Sequence, residues 1–101
     1  MNCKDGAYLF KVLSDETRLR IIEMLKQGTM CACKLLEEFE ITQPTLSYHM
    51  KMLVDSELVF CEKNGIWNNY TLNKDKLEFL AKFFDVNKKC CGNKNCDCYN
   101  N

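Results

Sequence analysis

A mostly α-helical fold carrying one small β-hairpin is what the sequence predicts, on three observations. Apolar residues recur at helical spacing in successive short segments up to Asp55, two strand-like runs flank Asn64 and Gly65, and a last helical pattern follows them. At 101 residues and 11.8 kDa the chain makes one domain, short enough that dimerisation would help it bury its surface.

Gly6 to Leu13 sets Tyr8, Leu9, Val12 and Leu13 at helical spacing and predicts a first helix. Ser14 offers an N-cap ahead of Asp15 and Glu16, acids suited to the positive end of a second helix over residues 15–26. Its apolar stripe is Leu19 and Ile22 with Ile21 and Leu25, and Gly28 supplies the stop. Cys31 to Glu38 is a brief third helix with Leu35 and Leu36 inward. Thr42 caps a fourth, whose first turn accepts Pro44 because the missing N–H is unpaired there anyway. Leu46, Met50, Leu53 and Val54 share one side of it; Thr45, Tyr48, Lys51 and Met52 share the other, with Ser47 and His49 between.

Residues 58–63 and 67–72 read as strands, and Asn64-Gly65 suits the positive φ angles of a tight hairpin turn. Lys74 to Val86 closes the fold as a helix burying Leu77, Leu80, Ala81 and Phe84. Residues 88–101 have no periodicity, and the chain divides into a folded domain over 1–87 and a Cys-rich flexible tail.

Fourteen basic residues balance fourteen acidic ones, so bulk charge predicts no polyanion-coating protein. No uncharged run is longer than Ile41 to Met50, well short of the roughly 20 residues of a membrane helix. Lys4 and Asp5 precede no long apolar run, which speaks against export. The eight cysteines therefore read as thiols of a reducing cytoplasm. Their close pairs, Cys31 with Cys33, Cys90 with Cys91 and Cys96 with Cys98, suit a thiophilic metal or metalloid, while Cys3 and Cys61 read as auxiliary thiols. An enzyme finds no support: there is no Cys-x-x-Cys pair, no Ser/His/Asp set and no glycine-rich phosphate loop.

Helices, a short turn, a further helix, a hairpin and a closing helix give the order of a winged helix-turn-helix, in which the fourth helix enters a major groove. Leu9-Phe10-Lys11-Val12-Leu13-Ser14-Asp15-Glu16-Thr17-Arg18-Leu19, Cys31-Ala32-Cys33, Gln43-Pro44 with Ser47 and His49, and Gly65, Trp67 and Tyr70 carry a more specific likeness. Over residues 7–73 the chain resembles the ArsR/SmtB family of metal-sensing repressors. That resemblance implies a cytoplasmic homodimer that represses its own detoxification operon and leaves double-stranded operator DNA when the inducer binds. It places the recognition helix on residues 43–54 and the wing on residues 60–70. Thr45, Ser47 and Tyr48 would face base edges, Gln43 and Lys51 bases or phosphates, and Lys63 and Asn64 the backbone. Over residues 42–76 Lys51, Lys63, Lys74 and Lys76 are matched by Asp55, Glu57, Glu62 and Asp75, so phosphate contacts would draw on Arg18, Arg20 or backbone amides. Trp67 and Tyr70 are expected in the hairpin core, and His49 as a hydrogen-bond partner on the helix flank.

Cys31 and Cys33 occupy the place of the family's sensing thiols, which implies arsenite or antimonite as inducer. Residues two apart on a helix point about 200° from one another, so joint ligation is expected to distort the third helix and so move the fourth. Arsenic-sensing members carry Cys-x-Cys-x-x-Cys, whereas this chain has Leu36 at the last position. Two thiolates would then serve alone, or with Cys3, or with Cys90 and Cys91 of the tail. A soft divalent metal such as cadmium or lead is the alternative inducer, and a Cys-rich metal buffer or an adaptor without DNA binding are the rival classes. Dimerisation is expected through the first and last helices, with Tyr8, Leu9, Leu80 and Phe84.

Overall fold

The computed structural model describes residues 2–86. The tail expected over 88–101, with Cys90, Cys91, Cys96 and Cys98, lies outside the described residues. Helix α1 runs Cys3–Leu13, starting before Gly6 because the Asn2 side chain accepts from the Asp5 N–H. Ser14 closes α1, its N–H donating to the Lys11 carbonyl, so the cap of α2 (Glu16–Leu25) falls to Asp15 and not to Ser14. Asp15 is extended, and its carboxylate accepts from the Arg18 N–H at 3.0 Å. The buried stripe of α2 is Arg18, Ile21, Ile22 and Leu25, one residue out of phase with a stripe led by Leu19, which is half-exposed. An arginine therefore holds a core-facing position.

After Gly28, whose φ of +137° only glycine adopts easily, comes a strand too short for sequence periodicity to show: β1, Met30–Cys31. It pairs antiparallel with the second strand of the hairpin, Met30 opposite Tyr70 and Cys31 opposite Asn69, and the Thr29 and Thr71 hydroxyls meet at 2.7 Å. Helix α3 is then only Ala32–Glu37, with Leu35 fully buried. Thr42 caps α4, Gln43–Asp55, by accepting from the Thr45 N–H, and Leu46, Met50 and Leu53 are its buried side.

Strands β2 (Val59–Asn64) and β3 (Trp67–Leu72) complete an antiparallel sheet in the order β1-β3-β2. Asn64 pairs with Trp67 as the last rung, so the loop is Gly65-Ile66 and only Gly65 takes positive φ, at +70°. Glycine first in a two-residue loop is the type II′ arrangement, which matches the strand twist without asking Asn64 for an unusual conformation.

Helix α5 covers Lys74–Ala81 and tightens into a 3₁₀ turn over Lys82–Phe84, short of the expected end at Val86. Of its expected buried face only Leu80 is fully buried; Leu77 is half-buried, and Ala81 and Phe84 are exposed. Gly6 lets this turn approach α1, since a Cβ there would lie 2.6 Å from the Phe83 ring. Phe10 meets Phe83 and Phe84 edge to face. The expected dimer residues separate accordingly: Leu9 and Leu80 belong to the core, while Tyr8 and Phe84 lie outside it.

Candidate nucleic-acid interface and thiol site

The outer side of α4 carries Gln43, Thr45, Ser47, Tyr48 and Lys51, all exposed, as the period of the helix requires once Leu46, Met50 and Leu53 face inward. Tyr48 is 58% exposed, its ring edge-on to His49. The Thr45 hydroxyl lies 3.0 Å from that of Thr42, and Lys51 pairs with Asp55 one turn on. Lys63 and Asn64 are exposed at the end of β2, and the hairpin tip adds Ile66, 89% exposed. Tyr70 is buried, but Trp67 is half-exposed and does not join the core. Burial, and then the neighbouring Cys61, push the Tyr70 hydroxyl above its ordinary pKa.

Behind α4 the buried arginine explains itself. Arg18 donates from Nε to the Val12 carbonyl at 2.6 Å, and its Nη1 lies 3.0 Å from His49 Nδ1. Asp15, the cap of α2, stands 3.8 Å from the same ring nitrogen. His49 is thus the expected hydrogen-bond partner, and the group it meets ties α4 to α2 and to the end of α1. Arg18 is only 8% exposed and is spent inside, which removes it from the expected phosphate contacts. Arg20 lies over the Phe39 ring at 4.7 Å and reaches the Glu38 carbonyl. Sequence reading missed the Arg18–His49 joint; its one signal was an arginine three residues before Ile21, on the buried phase of α2.

Cys31 and Cys33 come together, though not as helix geometry led one to expect. Cys31 is the residue before α3, with extended backbone (φ −83°, ψ 161°), and only Cys33 is helical. The two sulfurs lie 2.8 Å apart. The expectation that a regular helix holds them about 200° apart, and must distort to bring them together, is therefore overturned. Because β3 holds Cys31 in a strand, its side chain leaves the helical phase and one atom can meet both thiols. The Cys33 contact, and then the Lys34 N–H, hold Cys31 below the ordinary thiol pKa; the same contact raises Cys33. A thiol of lowered pKa touching a second thiol is a ready ligand pair for a thiophilic ion. Among the described residues no third Cys, His, Asp or Glu joins them. Leu36 stands one turn further along α3, and Cys3 and Cys61 are exposed elsewhere.

The two halves of the site meet across a cavity of about 240 Å³ walled by α3, α4 and the hairpin, with Cys33, Leu36, Gln43, Ser47, Ile66 and Trp67 among its lining residues. No described helix is long and apolar enough to cross a membrane.

Residues 15–60 match the family model described as bacterial regulatory protein, arsR family. The arsenical resistance operon repressor of Staphylococcus xylosus is 48% identical over 85% of this chain and 83% of its own length. That of Staphylococcus aureus is 43% identical over 97% of this chain and the whole of its own. Among solved structures, HlyU from Vibrio cholerae superposes with a TM-score of 0.70 at 29% identity, covering 82% of this chain and 95% of that one. An ArsR family transcriptional regulator at 20% identity reaches a TM-score of 0.77 over 83% of this chain and 87% of its own, a likeness of fold.

Proposed function

The chain belongs to the arsR family of bacterial regulatory proteins, and from that premise we infer that it is a metalloid-responsive transcriptional repressor of an arsenical resistance operon. It binds operator DNA as a homodimer in the cytoplasm and is released when arsenite or antimonite takes Cys31 and Cys33. The observation that carries this reading is the pair of sulfurs 2.8 Å apart at the head of α3, the helix directly before the outward-facing α4.

In this reading Thr45, Ser47 and Tyr48 meet base edges, Gln43 and Lys51 meet bases or phosphates, and Lys63 and Asn64 hold the backbone from the hairpin. The exposed Tyr8 and Phe84 supply the apolar patch for a second copy. Cys90 and Cys91 are the candidates for a third thiolate. Ligation acts on the strand-to-helix junction at Cys31, and a ligand that binds this junction better off DNA than on it shifts the population off DNA.

The test is gel-shift binding to the chain's own promoter region. The wild type should bind and be released by arsenite; the Cys31→Ser, Cys33→Ser double variant should bind equally and stay bound. Full release of the double variant moves the sensor to Cys90 and Cys91, and no binding by the wild type overturns the reading.

A further inference from the structure

Two distances locate the proton of His49. Arg18 Nη1 lies 3.0 Å from its Nδ1, and a guanidinium only donates, so Nδ1 accepts with its lone pair and the neutral ring keeps its proton on Nε2. Asp15 Oδ2 stands 3.8 Å from the same nitrogen, beyond hydrogen-bond reach, and it already caps α2 at the Arg18 N–H. Both groups come from α2, while Tyr48 of α4 itself meets the ring edge to face. The hairpin also packs against α4, but Val59 is the one buried residue of β2, and its titratable Cys61, Glu62 and Lys63 are exposed. Arg18 cannot follow a moving ring, because burial and the 2.6 Å bond from Nε to the Val12 carbonyl hold it. At 12% exposure the His49 side chain leaves little room for water to stand in for a lost partner.

A proton on Nδ1 sets two cationic donors 3.0 Å apart, so the Arg18 bond breaks and the imidazolium turns to the Asp15 carboxylate instead. The change passes into α4 directly behind Ser47 and Tyr48, the residues assigned to base edges. The added charge meanwhile favours phosphates of any sequence. Histidine is the side chain whose ordinary charge change falls between about pH 5 and 8, and His49 is the only one in the chain. Resting on the functional reading above, we propose that neutral His49 is a positioning residue for operator recognition. Its protonation moves the ring from Arg18 to Asp15, loosens α4 from α2 and lowers the preference for operator over random DNA. Low pH thereby blunts recognition by a route separate from the thiols.

The test compares binding of the full chain to its promoter DNA and to a scrambled fragment of equal length, at one salt concentration and without arsenite. The ratio of the two affinities should fall about tenfold from about pH 8 to about pH 5.5. His49→Asn, whose amide oxygen can stand where Nδ1 accepts, should keep the ratio at the higher pH and hold it flat to the lower. The Cys31→Ser, Cys33→Ser double variant should show the same fall as the wild type. Ring nitrogen resonances of the single histidine in the wild type need no variant. They should show the Nε2–H tautomer at the higher pH, with the ratio beginning to fall where the ring takes its second proton. Four results overturn the positioning role while the repressor reading stands: a flat wild-type ratio, a fall that folded His49→Asn retains, a fall lost with the two thiols, or the Nδ1–H tautomer. Should a thermal melt show that His49→Asn is unfolded, the ring resonances decide, and a fall that sets in away from the ring's own titration overturns the role. No preference of the wild type for its promoter at either pH overturns both.

Discussion

Arg18 and His49 meet inside a packed joint; Cys31 and Cys33 meet on the outside of one. The first pair sits between α2 and α4, backed by Ile21 and Leu53 with no exposed surface, and its hydrogen bonds run to the end of α1. The second sits where a two-residue strand becomes a six-residue helix, held by pairing to β3 and by Leu35 beneath. The difference teaches where a ligand can act. A packed core resists small displacements, whereas a short edge strand gives way at low cost. The helix proposed to face DNA is thus fixed from behind, and the segment proposed to answer a ligand lies beside it and shares a cavity with it.

The comparison breaks first, if it is wrong, at Leu53. Leu53→Ala empties a fully buried position behind α4 and should cost about 2–5 kcal/mol, read by denaturant titration, with a melting temperature lower by about 4–8 °C per kcal/mol. A loss under 1 kcal/mol would mean that α4 is not fixed from behind. Arg18→Met keeps the bulk but leaves the Val12 carbonyl and His49 without their donor, and should cost about 1.5–3 kcal/mol. It should weaken operator binding, because α4 loses its tie to α2, yet spare arsenite affinity; unaltered operator binding would limit the joint to stability.

The smallest effect concerns the thiols. With its pKa lowered, Cys31 is a thiolate at a pH where Cys33, with its pKa raised, is still a thiol, so its alkylation should set in at the lower pH. Cys33→Ala removes the largest cause and should move the Cys31 profile to higher pH, with no measurable change in stability. Peptide mass spectrometry after timed iodoacetamide treatment resolves the two sites, and identical profiles for Cys31 in both proteins would show that the sulfurs do not interact in solution.

Local patterns made much of this legible. Thr42 and Pro44 at the start of α4, its Leu46, Met50 and Leu53 face, and the hairpin around Gly65 follow from rules that act over a few residues, and the structure keeps them. The Cys-x-Cys pair was equally visible as a place. Residue 31 departs from the helix expected over 31–38, because a strand of two residues leaves no period to read and exists only through β3, about forty positions away.

The sequence by itself determined the succession of elements apart from β1, the outward side of α4 and the family to which the chain belongs, since capping residues, helical period and turn glycines act locally. Tertiary structure alone decided that Arg18 turns inward to His49, that Asp15 takes the cap from Ser14, that Phe84 and Trp67 stay outside the core, and that the Cys31 and Cys33 sulfurs face each other. Each of these depends on a partner distant in sequence or on how the chain leaves one element for the next. A buried guanidinium needs acceptors from two other segments, and a side chain's direction is set by the strand that pairs with its backbone.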